Sequence, residues 1–247
     1  MVEFKRLVYL RTTNSTNDYA ITLSNNDPNV NTCTYTFDQV AGRGQIGRYW
    51  FSDTDKNLAT TFSWKHPYIA IQDQFQINMA FSLAIWEFAA AIIEDKENLT
   101  LKWPNDLYYK NKKLAGILIQ NVLKGTILEV CHLGAGINVN QMEFPPDLPN
   151  PISLTQICGK TFNLVDLQME LIKKVSNGLT TLADGQISEL RSRYESLLFR
   201  RETVATFQVG DQKLAGIIKG TSKEGKLRIE LEDGMREFSF REIGYVL

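Results

Sequence analysis

The sequence predicts an α+β protein: a mixed, largely antiparallel sheet with helices, followed by a small C-terminal β barrel. Three observations carry this expectation. Helical spacing of apolar residues is concentrated in a few long segments, Asp73 to Asp95, Leu164 to Leu182 and Ile187 to Phe199. Strand-like pieces elsewhere are joined by short, turn-rich links, which favour antiparallel neighbours. From Arg201 the pattern changes to five short strands with tight turns, TVATFQV, LAGIIKG, KLRIELE, REFSF and YVL, the spacing of a small barrel. The expected division is 1–199 and 200–247, in a chain whose 247 residues suffice for one large and one small core.

Taken in order, Leu7 to Tyr9 is a first strand. Ser15 is placed to cap a helix from Asn17 to Leu23, with Asp18 in its first turn. Cys33 to Phe37 alternates as a strand and feeds the glycine-rich stretch Gly42 to Arg48, from which Leu58 to Trp64 returns. That loop therefore joins two strands. Asp73 to Asp95 is almost continuously apolar, with Met79, Phe81, Leu83, Ile85, Trp86 and Phe88, and is expected as a buried central helix. Leu99 to Lys102, Leu114 to Asn121 and Ile127 to Gly134 follow as an antiparallel meander, broken by turns at Pro104, Asn105, Asn111 and Gly125. Phe144 to Pro151, FPPDLPNP, must be extended, because proline removes amide donors and blocks helix.

Composition excludes several classes of function. The chain is 43% hydrophobic and 22% charged, with a formal net charge of −1, so nothing draws it globally to nucleic acid or an anionic membrane. Cys33, Cys131 and Cys158 form no CxxC pair, which argues against a disulfide framework or a zinc site and fits a reducing compartment. The first residues lack the apolar run of a secretion signal, and the longest apolar stretch, Phe81 to Ile93, is short and holds Glu87. A cytoplasmic protein is expected. Only His66 and His132 are present, and His132 sits in the strand-like VCHLGAGI, where a packed structural role is expected. Chemistry must then rest on Lys, Arg and backbone dipoles.

The segment GRGQIGR, Gly42 to Arg48, reads by itself either as a solvated basic turn or as a cradle for a phosphate or carboxylate: glycines bare the backbone N–H groups while Arg43 and Arg48 bring fixed positive charge. Its spacing is neither a P-loop nor a dinucleotide fingerprint. Three further segments combine polar residues with turns: STN at Ser15 to Asn17, KWPND at Lys102 to Asp106, and GAGINVN at Gly134 to Asn140. Taken singly, each reads as a cap, a turn or a strand end. The pentapeptide KLAGI occurs at Lys113 to Ile117 and again at Lys213 to Ile217, with no longer repeat around it, as expected of coincidence between two glycine-containing strands.

Together and in this order, STN, QVAGRGQIGRYWFS, KWPNDLYY, KKLAGILIQ and GAGINVN resemble the biotin protein ligases, over nearly the whole chain. The resemblance implies the class II synthetase and biotin ligase fold with an SH3-like C-terminal barrel. It implies adenylation of biotin by ATP with Mg2+, then transfer to one lysine of a biotin carboxyl carrier domain. Carried over by residue, Ser15, Thr16 and Gln39 correspond to contacts with the ureido ring. Gly42, Arg43, Gly44 and Gln45 correspond to the loop over the carboxyl end, and Asn17 and Gly116 complete the biotin set. Lys113 and Arg43 are the expected catalytic cations. Trp50 corresponds to the adenine-stacking residue and Asn105 to the reader of the adenine edge. Asn138 falls on the nucleotide side, while Arg48 and Asp106 are expected at the triphosphate and its metal. No metal ligand set is otherwise implied.

Two departures stand out. Many relatives carry a second basic residue directly after GRG, but this chain has Gln45, which hydrogen bonds without charge, so weaker retention of the adenylate is expected. Some relatives also carry a DNA-binding winged helix before the ligase core. Here the core begins within the first ten residues, so neither repression nor a DNA partner is expected; nor is a membrane partner, and a homodimer stays open. The nearest alternative is a lipoate protein ligase. A rival from another class is an RNA-binding module built on the GRG loop, disfavoured by the charge balance and by the lack of aromatics interleaved with a basic run.

Overall fold

The computed structural model describes residues 1–26, 29–45, 47 and 49–246. A seven-stranded sheet forms the body, in the order β1 (Arg6–Tyr9), β2 (Thr32–Thr36), β5 (Leu58–Lys65), β9 (Ile127–Ile137), β8 (Lys112–Lys124), β7 (Asp106–Tyr109) and β6 (Leu99–Lys102). The remaining early strands, β3 (Gly42–Arg43) and β4 (Tyr49–Trp50), pair with each other as a separate ribbon. Only β1 and β2 run parallel; every other neighbour pair of the large sheet is antiparallel. The mixed, largely antiparallel sheet is thus borne out.

Alternation along the strands divides the sheet into two faces. Phe62 on β5 meets Phe81 on α2 (Phe75–Ala90), ring centroids 5.9 Å apart, and Thr60 donates to Gln168 of α4 (Leu164–Ala183) at 2.7 Å. Thr61, one residue on, points the other way, its hydroxyl 2.9 Å from that of Thr16 on α1 (Thr16–Asn26). One face therefore carries α2 with α4 and α5 (Ile187–Ser196), and the other carries α1 and an open cleft. The apolar core lies on the helical side, where Phe62, Phe81, Phe88, Leu133 and Leu171 are fully buried.

Several elements differ from expectation for physical reasons. The central helix ends at Ala90, although apolar residues run on to the buried Ile93; burial continues past the helix, so hydrophobicity alone misplaces its end. α5 stops at Ser196 because Leu197 and Phe199 pair with β6: Leu101 N–H donates to Leu197 O at 2.8 Å and Phe199 N–H to Leu101 O at 2.9 Å. β7 begins at Asp106, inside what reads as a turn, and makes the meander one strand richer. A short helix, α3 (Leu154–Cys158), follows the proline segment; Ser153 and Gln156 close its N-terminus as a reciprocal capping box and Gly159 ends it at φ 70°.

The C-terminal strands β10 (Val204–Val209), β11 (Gln212–Thr221), β12 (Leu227–Leu231), β13 (Gly234–Phe238) and β14 (Gly244–Tyr245) form an antiparallel sheet in the order β13-β12-β11-β10-β14. Its edges do not pair with each other among the described residues, so the sheet is open where a closed barrel was expected. This sheet is fastened to the body next to KWPND: Trp103 Nε1 donates to Gly225 O at 2.9 Å, and Tyr245 packs on Phe199 with centroids 5.9 Å apart.

Candidate active site

The cleft, about 420 Å3, lies on the α1 face of the large sheet, a size suited to small ligands. Its floor is made by absence. Gly116 on β8 stands beside Gly136 on β9 in register, and a β-carbon at Gly116 would lie 3.1 Å from the Trp50 ring, while one at Gly136 would collide with it. The next row across the sheet, Thr61, Gly134 and Leu118, leaves room in the same way for the Asn17 side chain. Glycines at these positions let a ring system lie on the backbone of the sheet.

At one end, helix α1 presents its N-terminus. Ser15 Oγ accepts from Asp18 N–H at 3.3 Å, and Gln39 Oε1 accepts from Thr16 N–H at 2.8 Å. Thr16 Oγ1 stands 3.3 Å from the same Gln39 oxygen. These residues are buried yet line the cleft, a preorganised set of donors and acceptors. Asn17 is more committed: its amide donates to Gln120 Oε1 at 3.0 Å and to Leu118 O at 3.4 Å, and its Oδ1 accepts from Thr61. It ties helix to sheet.

The middle of the cleft belongs to the strand opening KKLAG. Lys113 Nζ lies 2.7 Å from Asp106 Oδ1 and 5.7 Å from the centroid of the Trp50 ring. The pair is a third and a fifth exposed, so its charges are only partly screened. The backbone of Lys113 is pinned as well. Its N–H donates to Asn150 O at 2.7 Å, and its carbonyl accepts from Ile152 N–H at 3.0 Å. Asn138, buried, adds its amide to Ile152 O at 3.0 Å.

Thirteen of the residues expected from the sequence line this one cleft: Ser15, Thr16, Asn17, Gln39, Arg43, Gly44, Gln45, Trp50, Asn105, Asp106, Lys113, Gly116 and Asn138. Gly42 stands just behind, its α-carbon against the Trp50 backbone. Arg48 lies outside the described residues. Arg43 sits at the rim, its guanidinium 3.4 Å from Asp18 and 70% exposed. Asn105 is braced on β8, donating to Ile117 O and accepting from Ile117 N–H at 2.9 Å. Asp106, on β7, is directly opposite Gly116, which aims it across the floor.

Sequence reasoning missed the far wall. Phe240, Ile243 and Tyr245 of the C-terminal segment line the cleft together with Lys102 and Tyr108. Lys102 Nζ lies 3.0 Å from Tyr108 Oη and 5.0 Å from the centroid of Tyr245. The position of Lys102 within KWPND was the one available signal; nothing local marks Tyr245. His132 behaves as expected of a packed histidine. It is buried, its Nδ1 stands 3.0 Å from Ser63 Oγ, and burial together with the nearby Lys65 charge pushes its pKa down to about 4. Among the described residues no cluster of three metal-ligating side chains occurs, and no helix is long and apolar enough to cross a membrane.

The fold and the sequence segments that meet at the cleft match those of known protein ligases. The family model described as the biotin/lipoate A/B protein ligase family matches residues 9–138, and the chain belongs to that family. It is 30% identical over 225 residues, 90% of this chain and 68% of the relative, to the bifunctional ligase/repressor BirA of Salmonella typhimurium. It is 29% identical over 163 residues, 64% of this chain and 65% of the relative, to the biotin–[acetyl-CoA-carboxylase] ligase of Paracoccus denitrificans. The fold is similar to that of the biotin protein ligase from Aquifex aeolicus solved with biotin and ATP, with a TM-score of 0.79, 27% identity and 98% of each chain covered.

Proposed function

We propose that this protein is an ATP-dependent biotin–protein ligase working in two steps at this cleft. In the first, a carboxylate oxygen of biotin attacks the α-phosphorus of ATP; the mixed anhydride biotinoyl-AMP forms and pyrophosphate leaves. In the second, the neutral ε-amine of a lysine on a biotin carboxyl carrier domain attacks the acyl carbon. The amide forms, AMP leaves with the electrons of the broken bond, and the amine releases one proton.

The first step brings two anions together, so its main need is positive charge fixed where both meet. The Lys113 ammonium is the candidate for that place, with Arg43 and the amides of Gly42, Gly44 and Gln45 closing from the loop. Ser15, Thr16 and Gln39, with Asn17 and Gly116 behind them, would hold the ureido end. Trp50, Asn105 and Asn138 would shape the adenosine end. Arg48 and Asp106 are proposed at the phosphates. Mg2+ fits as an ion carried chiefly by ATP, since Asp106 is the carboxylate near Lys113 and magnesium is commonly held by one or two carboxylates plus substrate phosphates. Bound there, it would offset phosphate charge. We take 1–199 as the unit that carries the proposed catalytic residues and 200–247 as a second unit, an open sheet that lends Phe240, Ile243 and Tyr245 to the cleft wall.

What carries the reading is convergence: segments separated by about a hundred residues meet around one cleft, with Lys113 2.7 Å from Asp106 at its middle. The test is ATP–pyrophosphate exchange with biotin, with lipoate and with neither. Exchange that requires biotin supports the proposal. Exchange that requires lipoate instead transfers the activity to the sister substrate, and exchange with neither acid rejects acyl activation altogether.

A further inference from the structure

The ribbon β3–β4 forms a flap over the cleft, and its two strands are only two residues long. A ribbon that short is not stable by itself, so its position depends on what its side chains hold. Alternation sends neighbouring side chains to opposite sides. Trp50 points down, with its ring against Gly116 and Gly136, and its carbonyl oxygen would stand 2.6 Å from a β-carbon on Gly42. Tyr49 points away from the floor, where its hydroxyl donates to the carboxylate of Asp147. The opposite residue in register, Arg43, makes only the exposed 3.4 Å pair with Asp18 among the described residues.

Asp147 lies on the proline-rich segment, and both ends of that segment are tied to the body. On one side, Gln141 Oε1 accepts from Asn57 Nδ2 at 3.0 Å, and Gln141 Nε2 donates to Glu143 O at 2.7 Å. On the other, Lys113 N–H donates to Asn150 O at 2.7 Å, and Ile152 N–H to Lys113 O at 3.0 Å. Between these anchors, a turn from Leu148 N–H to Pro145 O at 3.1 Å presents Asp147 to the flap. The chain of contacts closes a ring: Lys113 to the proline segment, Asp147 to Tyr49, then Trp50 back to the strand that carries Lys113.

We propose that Tyr49 is a positioning residue: by fastening the flap to Asp147 it holds the Trp50 indole against the glycine floor and sets how long the activated acid stays in the cleft. The inference rests on the biotin-activating reading for its second half, while its first half concerns the ligand-free molecule alone. Hydrogen bonding to Asp147 raises the Tyr49 pKa above its ordinary value, as expected of a phenol whose proton is shared with a carboxylate.

The experiment compares Y49F, D147A, the double variant, and Y49K with and without D147A. Two readouts are taken: hydrogen exchange of residues 42–50 in the ligand-free protein, and release of preformed biotinoyl-AMP. Losing one net hydrogen bond should accelerate both by about fivefold in either single variant. The double variant should be no faster than either single, because one contact is lost in each. Y49K, whose ammonium can pair with Asp147, should restore slow exchange and slow release, and Y49K with D147A should not. The KM for ATP should move more than kcat. Unchanged exchange in the single variants, or effects that multiply in the double, would overturn the fastening. Faster exchange with unchanged release would overturn its link to retention. Absence of any biotin-dependent exchange of pyrophosphate in the unsubstituted protein would instead strike the activity, while hydrogen exchange in the ligand-free variants would still support or overturn the latch.

Discussion

The pentapeptide KLAGI lies in two antiparallel strands of this molecule, and the two copies have opposite fates. In β8, Leu114 and Ala115 are fully buried, Gly116 faces the cleft and Lys113 meets Asp106 at 2.7 Å. In β11, Lys213 and Ala215 are exposed, and Gly216 is turned into its own sheet's packing; a β-carbon there would lie 2.6 Å from Ile229 and 2.7 Å from Leu231. The first glycine makes room for a ligand and the second for a neighbour's side chain. Identical local chemistry therefore carries no function until a second element faces it, and for β8 that element is the flap bearing Trp50.

Five substitutions can break or sharpen this contrast. The largest effect is expected at the lysines: K113A should lower single-turnover adenylation by about 10² to 10³, the scale for loss of one preorganised charge contact, while K213A leaves the rate intact. Equal rates in the two variants would remove Lys113 from its proposed place. At the glycines the effects should separate by kind. G116V should fill the floor and abolish measurable biotin binding while the protein remains folded. G216V should lower unfolding stability by about 1–3 kcal/mol through overpacking, with activity retained in the folded fraction. Calorimetry paired with biotin titration reads both, and a G216V protein as stable as the parent would show that Ile229 and Leu231 yield. The smallest effect concerns the loop facing the first copy: Q45R should slow release of biotinoyl-AMP by severalfold through one added cation near the adenylate. Equal off-rates would mean that backbone amides alone hold it.

Much of the site was legible because its parts are compact runs that keep a fixed order. Singly, STN, KWPND and GAGINVN read as a cap, a turn and a strand end; together with the glycine loop and KKLAG they resemble the biotin protein ligases, and all of them meet at the cleft. The Ser15 cap, α4 from Leu164 and the meander were likewise visible in caps and periodicity. The misses have specific causes. β7 was hidden because Pro104, Asn105 and Asp106 carry turn chemistry, while the pairing that makes a strand of Asp106 comes from β8 and β6. α3 was announced by Ser153 and Gln156, a capping signature overlooked beside the prolines. The end of α5 was decided by β6, which draws Leu197 and Phe199 into pairing.

By itself, the sequence determined the alphabet of the chemistry: two histidines, scattered cysteines, and lysine and arginine set among glycines and turns. It also determined the alternation of strands and helices, because periodicity and capping act over a few residues. Only the tertiary structure decided which KLAGI would look onto a cleft, that Tyr245 would reach the same wall as Lys102, and that Asp147 would meet Tyr49. Those outcomes depend on pairings between residues tens to hundreds of positions apart. Proximity of that kind arises when a whole face is buried, so no local run of residues can encode it alone.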